Sequence, residues 1–176
     1  MEGIDMAIYK LLENDNLALT IPLSGCSEDL DRKELKDNLI ETMKGLHGIG
    51  LSASQCGVME RVFVMYSNVN KEEIIACFNP KIISEGGEVV VMDEGCLTYP
   101  GLWLKIHRPD HIACCFEDEH GEFQQPIMAG LECRIFQHEM DHMEGTNFTK
   151  RVSKLRLDMG FRRQKKMKKK SMISMA

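Results

Sequence analysis

The sequence feature that most constrains this chain is the stretch Gln-His-Glu-Met-Asp-His-Met-Glu-Gly at residues 137–145. On an α-helix, positions i and i+4 lie on one face, so His138 and His142 can hold one metal ion together. Glu139 lies beside His138, where its carboxylate can reach a water on that metal. The pattern is short and also arises by accident on solvated helices, so the rest of the chain has to support it.

The third metal ligand is expected upstream of this helix. A catalytic site of the zinc type usually has three protein ligands and a water. In metzincins the third ligand is a histidine six residues after the second, but Phe148 stands there and cannot bind a metal. In thermolysin-like proteases it is a glutamate further downstream, and no glutamate follows Glu144. Asp158, the only later acid, lies in a basic helix.

A segment at residues 93–101, Asp-Glu-Gly-Cys-Leu-Thr-Tyr-Pro-Gly, offers that third ligand. Cys96 lies between a glycine and a leucine, close to a Pro-Gly turn, where it can present its sulfur and leave backbone N–H groups free. One thiolate with two imidazoles suits Zn²⁺, and also Fe²⁺ or Ni²⁺. The alternative is that Cys96 is a small buried hydrophobic residue, as free cysteines often are.

A third segment, Gly-Ile-Gly-Leu-Ser-Ala-Ser-Gln at residues 48–55, partly matches the glycine pattern of dinucleotide-binding folds. That interpretation fails because the pattern requires a strand before it and a helix after it, whereas a helix precedes it here. It also lacks the Lys-Ser/Thr of a P-loop. A glycine-rich strand whose backbone lies close to a ligand fits better, with Gln55 offering an amide donor.

The order of predicted elements indicates an α+β fold. Apolar residues recur at helical spacing over residues 35–46, with Asp31 and Glu34 as an N-terminal cap and Gly45 and Gly48 at the end. Strands are predicted at 62–66, 74–78, 81–84 and 88–92, with turns at 67–68, 79–80 and 85–87. A hairpin at 118–121 joins strands at 111–117 and 122–127. Helices are predicted at about 130–143 and from about 152 into the tail. Helix, many strands, helix is not a βαβ pattern.

The length of 176 residues predicts one domain, with a body at 1–150 and a basic C-terminal helix or tail at 151–176 belonging to the same domain. Residues 150–176 hold 11 of the 22 lysines and arginines and one acid, so the remaining body is strongly acidic. A dense basic run at 162–170 is read either as a solvated helix end or as a contact for RNA phosphates. The acidic body argues against nucleic-acid binding as the main role, and no DNA partner is expected.

The sequence predicts a cytoplasmic protein without a membrane partner. No apolar run approaches the ~18 residues of a membrane helix. The first five residues lack the features of a signal or transit peptide. The seven cysteines are odd in number, irregularly spaced and contain no CxxC pair, which favours a reducing compartment over a disulfide framework.

The three segments, GIGLSASQ, EGCLTYPG and QHEMDHMEG, resemble in this order the three motifs of the peptide deformylase family. The resemblance covers roughly residues 6–150. It implies antiparallel β-sheets around the HExxH helix and a C-terminal helix. It also implies metal-dependent hydrolysis of the N-formyl group from the formyl-methionine of nascent polypeptides, with release of formate.

The resemblance assigns a role to each matching residue. The metal ligands are Cys96, His138 and His142. Glu139 is the general base, and the Gln55 amide and the Leu97 backbone N–H stabilise the oxyanion. The substrate backbone contacts Gly50. The residues that shape the pocket for the methionine side chain are Ile49, Met92, Leu131, Arg134 and Ile135. Glu94 pairs with Arg108 behind the ligands, although an ordinary surface ion pair is the alternative.

Three residues depart from the family pattern. Arg134 replaces the usual apolar residue; its stem can cover apolar surface while its head reaches water or attracts an acidic group on the substrate, which would broaden or shift the side-chain preference. Ser52 and Ser54 replace small apolar residues, and we expect little effect from either.

The resemblance also implies partners and a cofactor. The metal is Fe²⁺ in cells, with Zn²⁺ or Ni²⁺ able to replace it, and the substrates are N-formylmethionyl peptides. The basic tail resembles a C-terminal helix that contacts ribosomes. The location is the cytoplasm of a bacterium, or of the host if a bacteriophage encodes the chain. Competing functions are a metallopeptidase, a nucleic-acid-binding module that uses the tail, and an inactive metal-binding relative.

Overall fold

The computed structural model of this chain describes residues 9–68 and 72–174. The N-terminal segment 1–5, whose composition predicts no export signal, lies outside the described residues. The same holds for the first eight residues of the predicted body and the last two of the tail. The division of the domain at residue 150 therefore stays a prediction.

Three α-helices and six β-strands make up the described structure. The helices are α1 (Arg32–Gly45), α2 (Gly130–Met143) and α3 (Lys154–Ser174). The strands are β1 (Gly50–Ser52), β2 (Val62–Asn68), β3 (Glu73–Glu94), β4 (Leu104–Glu117), β5 (Phe123–Gln124) and β6 (Ile127–Ala129). Short 3-10 turns lie at Leu17–Thr20, Ala53–Cys56 and Phe148–Arg151.

All six strands form one antiparallel sheet in the order β1-β2-β3-β4-β5, and β6 pairs with the same edge of β4 as β5 does. The fold class predicted from the sequence, α+β with antiparallel β-sheets around the HExxH helix and a C-terminal helix, is confirmed, and the described strands belong to a single sheet. The sheet separates two apolar layers because side chains alternate between its faces. On β2, Phe63 and Met65 pack towards α2, whereas Val62 and Val64 pack towards α1.

The helices lie where the sequence predicts them. Asp31 caps α1 by accepting a hydrogen bond from the Glu34 N–H at 2.9 Å, as the sequence predicts. Helix α2 spans the residues expected of it and is buried from Cys133 to Met143. The loop after α2 passes close to the chain near residue 21. At Gly145, whose φ is +65°, an added Cβ would lie 2.7 Å from the Thr20 carbonyl oxygen.

The predicted turns at 79–80 and 85–87 are wrong. Both segments lie inside the single long strand β3, which pairs with β4 through register shifts. Asn79 and Gly87 adopt positive φ angles of 51° and 73° within that strand. Such residues bend and twist a strand as β-bulges without ending it. The hairpin predicted at 118–121 is confirmed, since Glu117 pairs with Phe123 across it.

Helix α3 packs on the sheet through a small residue and leaves its basic run outside. An added Cβ on Gly160 would lie 2.6 Å from a Leu104 methyl group, so the glycine allows close approach. The Gln164 side chain donates to the Pro100 carbonyl oxygen at 2.8 Å. Across the described residues, no helix is both long enough and apolar enough to span a bilayer.

Candidate active site

The three predicted metal ligands come together although they lie on separate elements. Cys96 follows β3, and His138 and His142 lie one helical turn apart on α2. Their ligand atoms all lie within 4.8 Å of one another, and the Cys96 Sγ is 3.4 Å from the His142 Nε2. One thiolate and two imidazoles are the donors that zinc and ferrous iron accept, so these residues fit a divalent metal ion.

Cys96 is partly buried, and its thiol differs from those of other partly or fully buried cysteines. Burial raises the pKa of Cys56 and of Cys114 to about 12, which is typical of inert core thiols. At Cys96, burial acts in the same direction, but the neighbouring His142 and His138 outweigh it and lower the pKa well below its usual value. The Cys96 side chain is therefore suited to be the thiolate that a metal ligand has to be.

Glu94 fixes the orientation of the His138 ring. The His138 Nδ1 lies 2.9 Å from a Glu94 carboxylate oxygen. This contact leaves the other ring nitrogen to face the cluster, as metal-binding histidines require. Burial alone would raise the pKa of Glu94, but the bonds from Arg108 and His138 hold it far below its usual range. Glu94 is therefore an anion at neutral pH.

Arg108 is buried and pairs with that anion. Its Nε and Nη2 donate to the two Glu94 oxygens at 2.7 and 2.8 Å, and its side chain is 0% exposed. Strand alternation explains this position, because Arg108 shares a face of β4 with the core residues Leu104 and Ile106. The alternative of an ordinary surface ion pair is wrong.

Asp141 extends the ion network, and the sequence analysis missed it. It accepts from Arg108 at 2.9 Å and from Arg151, which lies in the turn before α3. Burial opposes ionisation, yet Arg151 and Arg108 lower the pKa of Asp141. The sequence position of Asp141 could have predicted this network, because an acid between the two histidines of a buried helix requires a cationic partner.

Arg134 does not behave as its sequence suggests. Its side chain is 5% exposed. Its guanidinium donates to Glu94 at 3.0 Å and to the Ile106 and Val90 carbonyl oxygens at 3.1 and 2.8 Å. The expectation that its head reaches water or an acidic substrate group is wrong, because these buried acceptors already occupy it. Arg134 still lines the cleft.

The Glu139 side chain lies against strand β1, where it contacts Gly50 and Ser52. It is 3% exposed, and burial raises its pKa although His138 and His142 act against the shift. A Cβ on Gly50 would overlap one oxygen of this carboxylate and lie 2.9 Å from an Ile135 methyl group, so the glycine leaves room for both side chains. The other oxygen accepts a hydrogen bond from the Ser52 hydroxyl at 2.8 Å.

The Gln55 amide is held with its NH₂ group towards the cluster. Its oxygen accepts from the Ser52 N–H at 2.9 Å, and its nitrogen donates to the Thr98 hydroxyl at 2.9 Å and lies 3.4 Å from the Cys96 sulfur. Thr98 is a further contact that the sequence analysis missed. Within residues 9–68 and 72–174, the Leu97 N–H has no recorded acceptor.

A cleft of about 350 Å³ opens beside this cluster, which is within the usual range for small-ligand sites of ~300–1,000 Å³. All the residues that the sequence assigns to the substrate line it: Ile49, Gly50, Met92, Leu131, Arg134 and Ile135. Trp103 also lines the cleft, which the sequence did not indicate. It is 62% exposed, and its side chain packs over the Gly95 backbone.

Phe148 has a packing role. It is fully buried, and its ring centroid is 5.6 Å from that of His138. The position at which a metzincin would place its third ligand therefore supports the His138 ring through apolar contact. This arrangement disfavours the metallopeptidase alternative.

The comparisons with known proteins agree on one family. The polypeptide deformylase family model matches residues 10–158. A peptide deformylase of Rhizobium meliloti is 37% identical over 139 residues, which cover 77% of this chain and 79% of that protein. For a peptide deformylase of Synechocystis sp., 36% identity extends over 122 residues, covering 68% of this chain and 65% of the relative, just under two thirds of its length. A peptide deformylase from Synechococcus elongatus, solved in complex with actinonin, aligns with a TM-score of 0.83 at 31% identity, covering 89% of this chain and 87% of that one.

Replacing Arg108 with leucine is expected to lower the free energy of unfolding by roughly 3–5 kcal/mol, because it leaves two buried carboxylates without their shared partner. Urea denaturation of the metal-loaded protein measures this. The control is Lys33→Leu, which removes an exposed ion pair with Asp37 and is expected to change stability little. Equal, small effects of the two substitutions would contradict a buried network.

Proposed function

The chain belongs to the polypeptide deformylase family, and on that premise we propose that it removes the formyl group from the N-terminal formyl-methionine of nascent polypeptides, releasing formate. The observation that carries the proposal is the meeting of three sequence segments in one cleft. They bring a cysteine, two histidines, a buried glutamate and a glutamine amide together. These are the groups that metal-dependent hydrolysis of an amide requires.

Cys96, His138 and His142 would hold the metal ion. A divalent ion there supplies a Lewis acid and lowers the pKa of water towards ~7. We propose Fe²⁺ in cells, as the resemblance to the family implies. Zn²⁺ or Ni²⁺ can substitute, since one thiolate and two imidazoles accept all three ions. A thiolate with ferrous iron is sensitive to oxygen, so the protein has to be purified without air.

Glu139 is the proton carrier in the proposed reaction. Its carboxylate takes a proton from the attacking water and gives it to the leaving amine nitrogen. Burial, which raises the pKa of Glu139, suits this double role because the group then accepts and returns a proton more readily near neutral pH. Protonation of the amine completes the break of the formyl C–N bond.

The Gln55 amide and the Leu97 N–H would stabilise the oxyanion that forms on the formyl carbon. Gln55 is pre-oriented, since its oxygen is held by the Ser52 N–H and its nitrogen points towards Cys96. Donors that are fixed before the reaction lose no energy to reorientation as charge develops. The Leu97 N–H, next to Cys96 in the chain, bonds to no acceptor in the described part of the protein and offers a second donor.

The cleft would receive the methionine side chain and the start of the peptide. Ile49 and Leu131, each 44% exposed, stand at its accessible side, and Ile135 is buried within it. Gly50 brings the β1 backbone close to the substrate. Met92 and the stem of Arg134 add apolar surface, and a shifted side-chain preference caused by that stem stays a prediction. The Arg134 head is already bonded to Glu94 and is not free to attract an acidic group.

We propose that the reaction takes place in the cytoplasm of a bacterium, or of a host cell if a phage encodes the chain. Nascent formylated chains emerge there from ribosomes. The basic run at 162–170 would then contact ribosomal RNA, since phosphate binding requires only clustered positive charge. Its lysines and arginines at positions 162, 163, 165, 166, 169 and 170 are exposed on α3, which supports this role.

Formate release from formyl-Met-Ala-Ser by anaerobically purified protein tests the reaction. Glu139→Ala is expected to lower kcat by about 10²–10⁴-fold because the proton carrier is lost. Cys96→Ala is expected to lose both activity and bound metal. Glu88→Ala, an exposed glutamate on β3, is the matched control and should match the wild type. Wild-type protein that binds metal yet releases no formate would contradict the proposal.

Co-sedimentation with ribosomes tests the tail. Charge reversal of Lys165, Lys166 and Lys169 is expected to abolish co-sedimentation that is strong at low salt and falls with rising salt in the wild type. The control reverses Lys33 and Lys44 on α1, which are also exposed. Formate release should be unchanged in both variants. Equal sedimentation of all three proteins would remove the idea.

A further inference from the structure

Strand β1 presents two small residues to the catalytic glutamate. Gly50 and Ser52 lie two positions apart, so they share one face of the strand, while Leu51 points into the opposite apolar layer. Gly50 makes room for one oxygen of the Glu139 carboxylate, and the Ser52 hydroxyl donates to the other at 2.8 Å. The two residues therefore hold the carboxylate from two sides.

The contact with Ser52 is the one recorded side-chain hydrogen bond to the Glu139 carboxylate within residues 9–68 and 72–174. Both residues are buried, with Ser52 at 0% and Glu139 at 3% exposure. A hydroxyl that donates to a carboxylate makes a shorter and stronger hydrogen bond than one between two neutral groups. Without it, the carboxylate could rotate about its last torsion, which has broad preferences.

Ser52 also orients the second polar group of the site. Its backbone N–H donates to the Gln55 oxygen, which turns the amide nitrogen towards Cys96 and Thr98. This backbone contact survives any side-chain substitution at Ser52, whereas the contact with Glu139 does not. The two effects can therefore be separated by mutation.

We propose that Ser52 is a positioning residue whose hydroxyl holds the Glu139 carboxylate in its orientation towards the cleft. The proposal rests on the proposed deformylation for its kinetic consequence. It replaces the expectation that Ser52 has little effect, since that expectation does not include the contact with Glu139. Ser54 shows the contrast, because its hydroxyl is buried without a hydrogen-bond partner within the described chain.

The experiment compares the metal-loaded wild type with Ser52→Ala, Ser52→Cys and the control Ser54→Ala. The readouts are kcat and KM for formate release from formyl-Met-Ala-Ser, and crystal structures of each holoenzyme. Ser52→Ala is expected to lower kcat about tenfold, which corresponds to 1.36 kcal/mol, with KM unchanged. Ser52→Cys retains a weak donor and should fall between the two. Ser54→Ala should match the wild type in both readouts.

The Glu139 rotamer in the crystal structures decides the proposal independently of activity. A rotated or disordered Glu139 carboxylate in Ser52→Ala, with Gln55 unmoved, supports it. An unmoved carboxylate together with unchanged kcat overturns it. If the wild type releases no formate, the proposed function fails, and the rotamer comparison still tests the positioning role. Equal loss of kcat in Ser52→Ala and Ser54→Ala would assign the effect to packing and overturn the proposal.

Discussion

The Glu94 carboxylate is the interaction on which the rest of the site depends. It accepts two bonds from Arg108, one from Arg134 and one from His138, and all four residues are largely buried. An isolated buried carboxylate would be very costly, and these partners make it tolerable. The Glu94 charge holds the Nδ1 side of the His138 ring, and its bonds link β3 to β4 and α2. The glutamate lies two residues before Cys96, so the same strand end also delivers the sulfur.

The side chains of helix α2 contact different partners on its different faces. One face carries His138 and His142 towards Cys96. Asp141 points to Arg108 and Arg151 and ties the helix to the segment that leads into α3. Glu139 meets β1, where glycine and serine leave space and a donor. Helix α2 and strands β1, β3 and β4 therefore support the site, while Cys96 lies in the loop that follows β3. Such fixed supports keep donors and bases in place during a reaction.

Much of this could be predicted from the sequence, and the parts that could not have physical reasons. Helix α2 and its two histidines follow from helical spacing, and the cap on α1 follows from Asp31 and Glu34. The length of β3 could not be predicted, because Asn79 and Gly87 read as turn residues yet occupy bulges in a paired strand. Local sequence does not show whether a partner strand continues alongside.

The surroundings of individual side chains also could not be predicted from the sequence. From the sequence, the Arg134 stem is expected to cover apolar surface while its guanidinium reaches water. In the structure, the guanidinium is instead bonded to the buried Glu94 on β3. Ser52 looked interchangeable with alanine, because no local pattern shows that a glutamate 87 residues away lies opposite it. Such contacts depend on tertiary structure, and they decide what the residues of the cleft do.

Anomalous X-ray diffraction at the iron edge, from anaerobically prepared, iron-loaded crystals, tests most directly whether the side chains of Cys96, His138 and His142 bind the metal. We expect one strong peak among these three side chains, with Glu139 beside it. A peak at any other place, or protein that releases formate with no metal peak among these residues, would contradict this metal assignment.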